Sequence, residues 1–153
     1  MESKNQPSVG ESSIDVQKAI VGIWTKIPGY GFELRIGKYS NSRYRKFQQK
    51  HIDRGWDQDE SVRAYLGGEV ITGVRGMKAE SGEDVEWSEA FGIDFLLERA
   101  EAEHPVTGEV IRTYVREDLG DFAYSLATQS SRYLRAAAGN SSPSSVGEMP
   151  SED

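Results

Sequence analysis

Between Ser61 and Met77 the apolar residues Val62, Tyr65, Leu66, Val70, Val74 and Met77 recur three and four positions apart, which predicts a helix with one apolar stripe. Asp57 followed by Glu60 reads as a capping box that starts this helix near Asp59. Gly67, Gly68, Gly73 and Gly76 lie inside it, each costing about 1 kcal/mol relative to alanine, so packing must hold the helix or it bends at Gly67-Gly68. A second stripe runs through Phe91, Phe95 and Leu96, with Ser88 as the cap and Pro105 as the stop. The longest predicted helix spans 108–138: Ile111, Tyr114, Val115, Leu119, Phe122, Leu126 and Tyr133 keep a helical period, with Thr107 as cap and Gly139-Asn140 as terminator.

The N-terminal third is patterned differently. The β-branched and aromatic run Ile20 to Ile27, the turn signal Pro28-Gly29 and the strict alternation Phe32-Glu-Leu-Arg-Ile36 predict a β-hairpin, whose apolar face must rest on the helices. Ser40 or Asn41 caps a short basic helix in which Tyr44 and Phe47 point one way. Residues 1–13 and 140–153 are polar and nearly free of apolar side chains, which predicts a disordered arm and tail around one globular domain over 14–139. The expected fold class is therefore α+β, mainly α: an N-terminal β-hairpin packed on a small bundle of about four helices.

Charge changes the picture. The chain of 153 residues carries a net charge of −7, yet residues 26–54 alone are +6, which leaves −13 for the rest. Arg43, Lys46, Lys50 and Arg54 line up along the basic helix. That face is either a solvated flank that balances the acidic remainder or a docking face for an acidic partner or nucleic acid. The acidic chain as a whole disfavours nucleic acid, although Trp24, Tyr30, Phe32, Tyr39, Tyr44 and Phe47 interleave with the basic segment as in a single-strand platform. The chain has no cysteine, which excludes disulfides and thiolate chemistry, and it has no apolar run of membrane-spanning length.

No catalytic constellation emerges. His51 and His104 stand apart and in no ligand spacing. The Asp57-Gln-Asp59 start of a calcium loop meets Val62 and Gly68 where glycine and glutamate belong. Gly29-Tyr-Gly31 has Leu34 in place of its third glycine and leads into a strand. Carboxylate pairs such as Glu98 with Glu101 read as solvated helix surface. The expectation is a non-enzymatic protein without cofactor or metal.

Trp24, Phe32-Glu-Leu-Arg-Ile36, Asn41-Ser-Arg-Tyr44, Ile71-Thr72-Gly73, Ser81-Gly82, Trp87-Ser88, Leu96-Leu97 and Phe122 follow one another in an order that resembles the tail assembly chaperones of long-tailed (siphovirus-type) bacteriophages. The resemblance covers roughly residues 24–126, and Val74 stands where that family usually has tryptophan. It implies a protein that binds the helical tape-measure protein in the cytoplasm of the infected bacterial host, keeps it soluble during tail morphogenesis, and self-associates. Phe91, Phe95, Tyr114 and Phe122 are then the candidates for a partner groove or for the core beneath it. Two other readings stand beside it: a structural tail-completion or head-tail joining protein, and a small nucleic-acid-binding regulator using the basic segment 35–54.

Overall fold

A computed structural model describes residues 13–135. Short polar side chains start most of its helices. Asp15 caps α1 (Val16–Ile20), Ser40 caps α2 (Asn41–Lys50) and Ser88 caps α4 (Glu89–Leu97). Asp57 and Glu60 close a reciprocal capping box on α3 (Gln58–Tyr65): the Glu60 amide donates to Asp57 at 2.8 Å and the Asp57 amide to Glu60 at 3.0 Å. The fifth helix, α5 (Glu117–Ala127), has no side-chain cap.

Strands β1 (Ile23–Lys26), β2 (Glu33–Ile36) and β3 (Ile71–Arg75) form an antiparallel sheet with β2 in the centre. Leu34 and Ile36 point from β2 into the core and are fully buried beside Leu66, Ile71, Ile93, Leu96 and Leu119. The register slips between Arg35↔Gly73 and Ile36↔Ile71, so Thr72 is the extra residue of a bulge. Its hydroxyl and carbonyl each receive a hydrogen bond from Arg35 at 2.9 Å. Gly73 leaves room for that guanidinium and for the Trp24 ring.

A second antiparallel pair, β4 (Arg99–Glu103) and β5 (Val110–Tyr114), forms a separate two-stranded sheet, and the loop 104–109 between them is folded back on His104, whose Nδ1 accepts from the amides of Val106 and Thr107. Nearly every residue of this hairpin is exposed. The two ends of the described segment meet elsewhere: the Asp15 amide donates to the Tyr133 carbonyl at 2.7 Å, and the Tyr133 hydroxyl donates to the Gly37 carbonyl at 2.9 Å.

These features correct the expected fold class. The molecule is not a hairpin on a four-helix bundle; among the described residues it has five strands in two antiparallel sheets and five α-helices. The helix predicted from Asp59 to Met77 stops at Tyr65, passes through one π-helical turn (Leu66–Val70) and becomes β3. The turn brings Gly67 against Gly92 of α4, where the Trp87 indole donates to the Gly67 carbonyl at 2.8 Å. The helix predicted to run up to Pro105 ends at Leu97, and the one predicted over 108–138 is instead β5, then α5, then a short 3₁₀ turn at Ser130–Tyr133. Central pairing with β2 draws the β-branched Ile71 and Thr72 into a sheet, and mutual pairing does the same for Val110, Ile111 and Thr113. The expected arm, except Ser13, and the expected tail lie outside the described residues.

Candidate functional site

Residues of α3, the π-helical turn and α5 line an open groove of about 600 Å³. Val62 from α3, Leu66 from the π-helical turn and Tyr124 from α5 supply its apolar lining, and Tyr124 remains 43% exposed. Gln58, Asp59 and Asp121 supply its polar rim. The arrangement suits an apolar side chain flanked by donors or positive charge.

At one end of the groove sits Arg63, only 6% exposed. Its Nη2 donates to the Asp121 carboxylate at 2.8 Å, its Nε lies 3.5 Å from Asp59, and Gly120 leaves the space its other nitrogen fills. One buried cation thus joins α3 to α5. The Tyr114 ring packs 4.3 Å from the same guanidinium and 4.3 Å from that of Arg99, so β4 and β5 are tied to the same point. Arg99 also donates to the Tyr114 hydroxyl at 2.9 Å and pairs with Glu60 at 3.3 Å. Burial first, and then the Asp59 carboxylate beside it, push the Tyr114 hydroxyl up to about 12, while Arg99 pulls the other way. Tyr114 is therefore a neutral ring and hydrogen-bonding group at physiological pH.

The residues singled out from sequence are distributed over separate places. Phe91 and Phe95 do come together, with ring centroids 5.5 Å apart, and Trp87 and Phe32 complete their cluster. Arg116 covers Phe95 at 3.7 Å and bonds Glu98 at 2.7 Å, so this cluster is largely capped by the chain itself. Tyr114 stands at the hairpin base, and Phe122 packs half-buried against the core; neither forms an aromatic pair with Phe91 or Phe95 among the described residues. On the basic helix, Arg43 pairs with Glu69 at 3.6 Å, Lys50 pairs with Glu89 at 3.1 Å, and Arg54 stacks 4.6 Å from Trp56. Lys46, together with Arg45, is exposed and has no acidic partner among the described residues.

Sequence reasoning missed Asp59, Arg63, Arg99, Asp121 and Tyr124. One signal was available: Arg63 interrupts the apolar run Val62 to Leu66 and stands four residues after Asp59, where a buried cation would need that acid. The Asp121 and Arg99 contacts span 58 and 39 residues and leave no local trace.

Among the described residues no group of three or more His, Asp or Glu side chains converges in a way that could hold a metal ion. Nor is any helix there long and apolar enough to cross a membrane. Comparison with known protein families, characterised proteins and solved structures yields no match.

Proposed function

We propose that the chain is a tail assembly chaperone of a long-tailed bacteriophage, which binds the helical tape-measure protein in the host cytoplasm and keeps it soluble while the tail is built. The observation that carries the reading is the open groove between α3 and α5, lined by Val62, Leu66 and Tyr124 and rimmed by Asp59 and Asp121. A groove between two helices accepts the apolar anchors of an amphipathic helix, and the acidic rim favours a helix with basic residues beside those anchors. The order of motifs from Trp24 to Phe122 supplies the identity of that helix.

Co-expression with a phage tape-measure protein tests the proposal. Soluble, co-purified partner is the expected result; a partner that stays insoluble and does not co-purify overturns it. The exposed β4–β5 hairpin favours a second reading, a tail-completion or head-tail joining protein, because projecting hairpins serve subunit contacts in finished assemblies. Mass spectrometry of purified virions separates the two: a chaperone leaves, and a structural subunit stays.

A further inference from the structure

The outer face of the β1–β2–β3 sheet has a chemistry that neither the core nor the α3–α5 groove uses. Side chains alternate across a strand, so Leu34 and Ile36 face the core, and the registers Trp24↔Arg35↔Gly73 and Lys26↔Glu33↔Arg75 put the other set outside. Trp56 and Trp87 pack against the core, but Trp24 does not. Gly73 lets the Trp24 ring reach across β2 to β3: a methyl group there would stand 3.3 Å from the indole. The Arg75 guanidinium lies 4.2 Å from the ring centroid and that of Arg35 5.2 Å.

Past Arg75 the face continues into a groove of about 530 Å³ formed by the β1–β2 turn and the end of β3, with Lys26, Pro28, Tyr30, Phe32 and Arg75 in its lining. Tyr30 and Phe32 stack 5.5 Å apart; they back onto the core and turn their other side to the groove. Lys26, Arg35 and Arg75 against Glu33 give the sheet face a charge of +2. Both nearby acids are engaged: Arg75 holds Glu33 at 2.7 Å, and the Tyr30 hydroxyl donates to Asp118 at 2.8 Å. Lys26 and Arg35 have no carboxylate partner among the described residues, and Arg35 commits two of its three nitrogens to Thr72.

We propose that this sheet face binds single-stranded nucleic acid. One base stacks on the Arg75–Trp24 pair, the next enters the groove against Tyr30 and Phe32, and Lys26 and Arg35 meet the phosphates. Every base has a flat face, so the site takes a strand of any sequence; a duplex, whose bases stack on one another, is excluded. The sheet is favoured over the basic helix because it has both planes and cations. Beside α2, Tyr39, Tyr44 and Phe47 are turned to the core, and Arg43 and Lys50 already hold Glu69 and Glu89. The acidic remainder of the chain keeps the affinity low and sensitive to salt. No residue of the α3–α5 groove takes part, so the site stands or falls apart from the tape-measure reading.

Fluorescence anisotropy at low salt tests it, with labelled oligothymidylate and oligouridylate about 12 nucleotides long, within the usual span of such platforms. Both oligonucleotides bind, and two phosphate contacts give a slope of about −1.4 for log affinity against log salt. Trp24→Ala weakens binding about tenfold, the effect of one lost stacking plane. Lys26→Gln flattens the slope to about −0.7, because one phosphate contact is gone. Lys26 is exposed, so this variant carries the test even if Trp24→Ala disturbs folding, which circular dichroism reports. R45E/K46E on α2 binds as the wild type does. No binding to either oligonucleotide overturns the proposal, and so does a loss in R45E/K46E with none in Trp24→Ala and Lys26→Gln. Equal affinity for a duplex of the same length, or for thymidine monophosphate, overturns it as well.

Discussion

Gly67 and Gly92 touch backbone to backbone: a methyl group on Gly92 would overlap both the Gly67 carbonyl and the Trp87 indole nitrogen that bonds to it. The π-helical turn and α4 can approach this closely only without side chains. Gly92→Ala should therefore destabilise the fold by about 3 kcal/mol or more, the upper range for overpacking. Gly31→Ala, with nothing within 4 Å of the added carbon, should shift stability by no more than about 0.5 kcal/mol. Chemical denaturation of both variants checks the contrast, and equal effects would contradict it.

Arg63 gathers α3, α5 and β5 onto one side chain, yet two of its buried nitrogens have no hydrogen-bond partner among the described residues, so part of its desolvation is uncompensated. Arg63→Met keeps most of the volume and removes that penalty, and the exposed carboxylates of Asp59 and Asp121 return to water. Overall stability should change by about 1 kcal/mol or less. The hairpin should loosen all the same, because Tyr114 loses one of its two cations. Amide exchange over 99–114 measures this; protection as high as in the wild type would count against the anchoring role.

Tyr124 is the exposed aromatic of the groove and sits on α5 away from the hairpin base. If the groove holds the tape-measure helix, Tyr124→Ala should lower the co-purified partner about tenfold, equivalent to ~1.4 kcal/mol at one anchor, with little change in folding stability. Undiminished capture by a folded variant would move the binding site elsewhere, with the Phe91–Phe95 cluster the next surface to probe.

Alkaline pH should weaken the fold. Burial raises the Tyr39, Tyr65 and Tyr133 hydroxyls above 10.0, and Tyr114 reaches about 12. Above pH 10 the unfolded tyrosines lose protons that the folded ones keep, so the unfolded state binds fewer protons and stability falls as pH rises. For Tyr114 the loss develops from about pH 10 to about 12, and below 10 its contribution is constant. Denaturation midpoints across that window should drop, and Tyr114→Phe should drop less steeply than the wild type.

Local chemistry could be read directly from the residues. Ser40, Ser88 and the Asp57–Glu60 pair cap helices through bonds that span three residues, and the Ser81-Gly82 turn has Gly82 at φ 91. The apolar stripes named real core residues as well, among them Tyr65, Leu66, Val70, Leu96 and Leu119. Where the helices end was not legible. Ala100, Glu101, Ala102 and Glu103 are good helix formers, and Ile111, Tyr114 and Val115 happen to continue the period of α5. Pairing across the hairpin overrode both, as the neighbouring β2 overrode the helical pattern through Ile71 and Val74.

The amino-acid order by itself determined the caps at Ser40, Asp57–Glu60 and Ser88, the Ser81-Gly82 turn, core residues such as Tyr65 and Leu96, and the opposed charges of 26–54 and the rest, because each depends on neighbours a few positions away or on composition alone. Only the tertiary structure decided that Arg63 would be buried between Asp59 and Asp121, that Gly67 would meet Gly92, and that 99–114 would pair with itself as a separate two-stranded sheet. The Arg63–Asp121 and Gly67–Gly92 contacts join segments 25 or more residues apart, and their energies depend on desolvation and close packing, which exist only once the chain has closed.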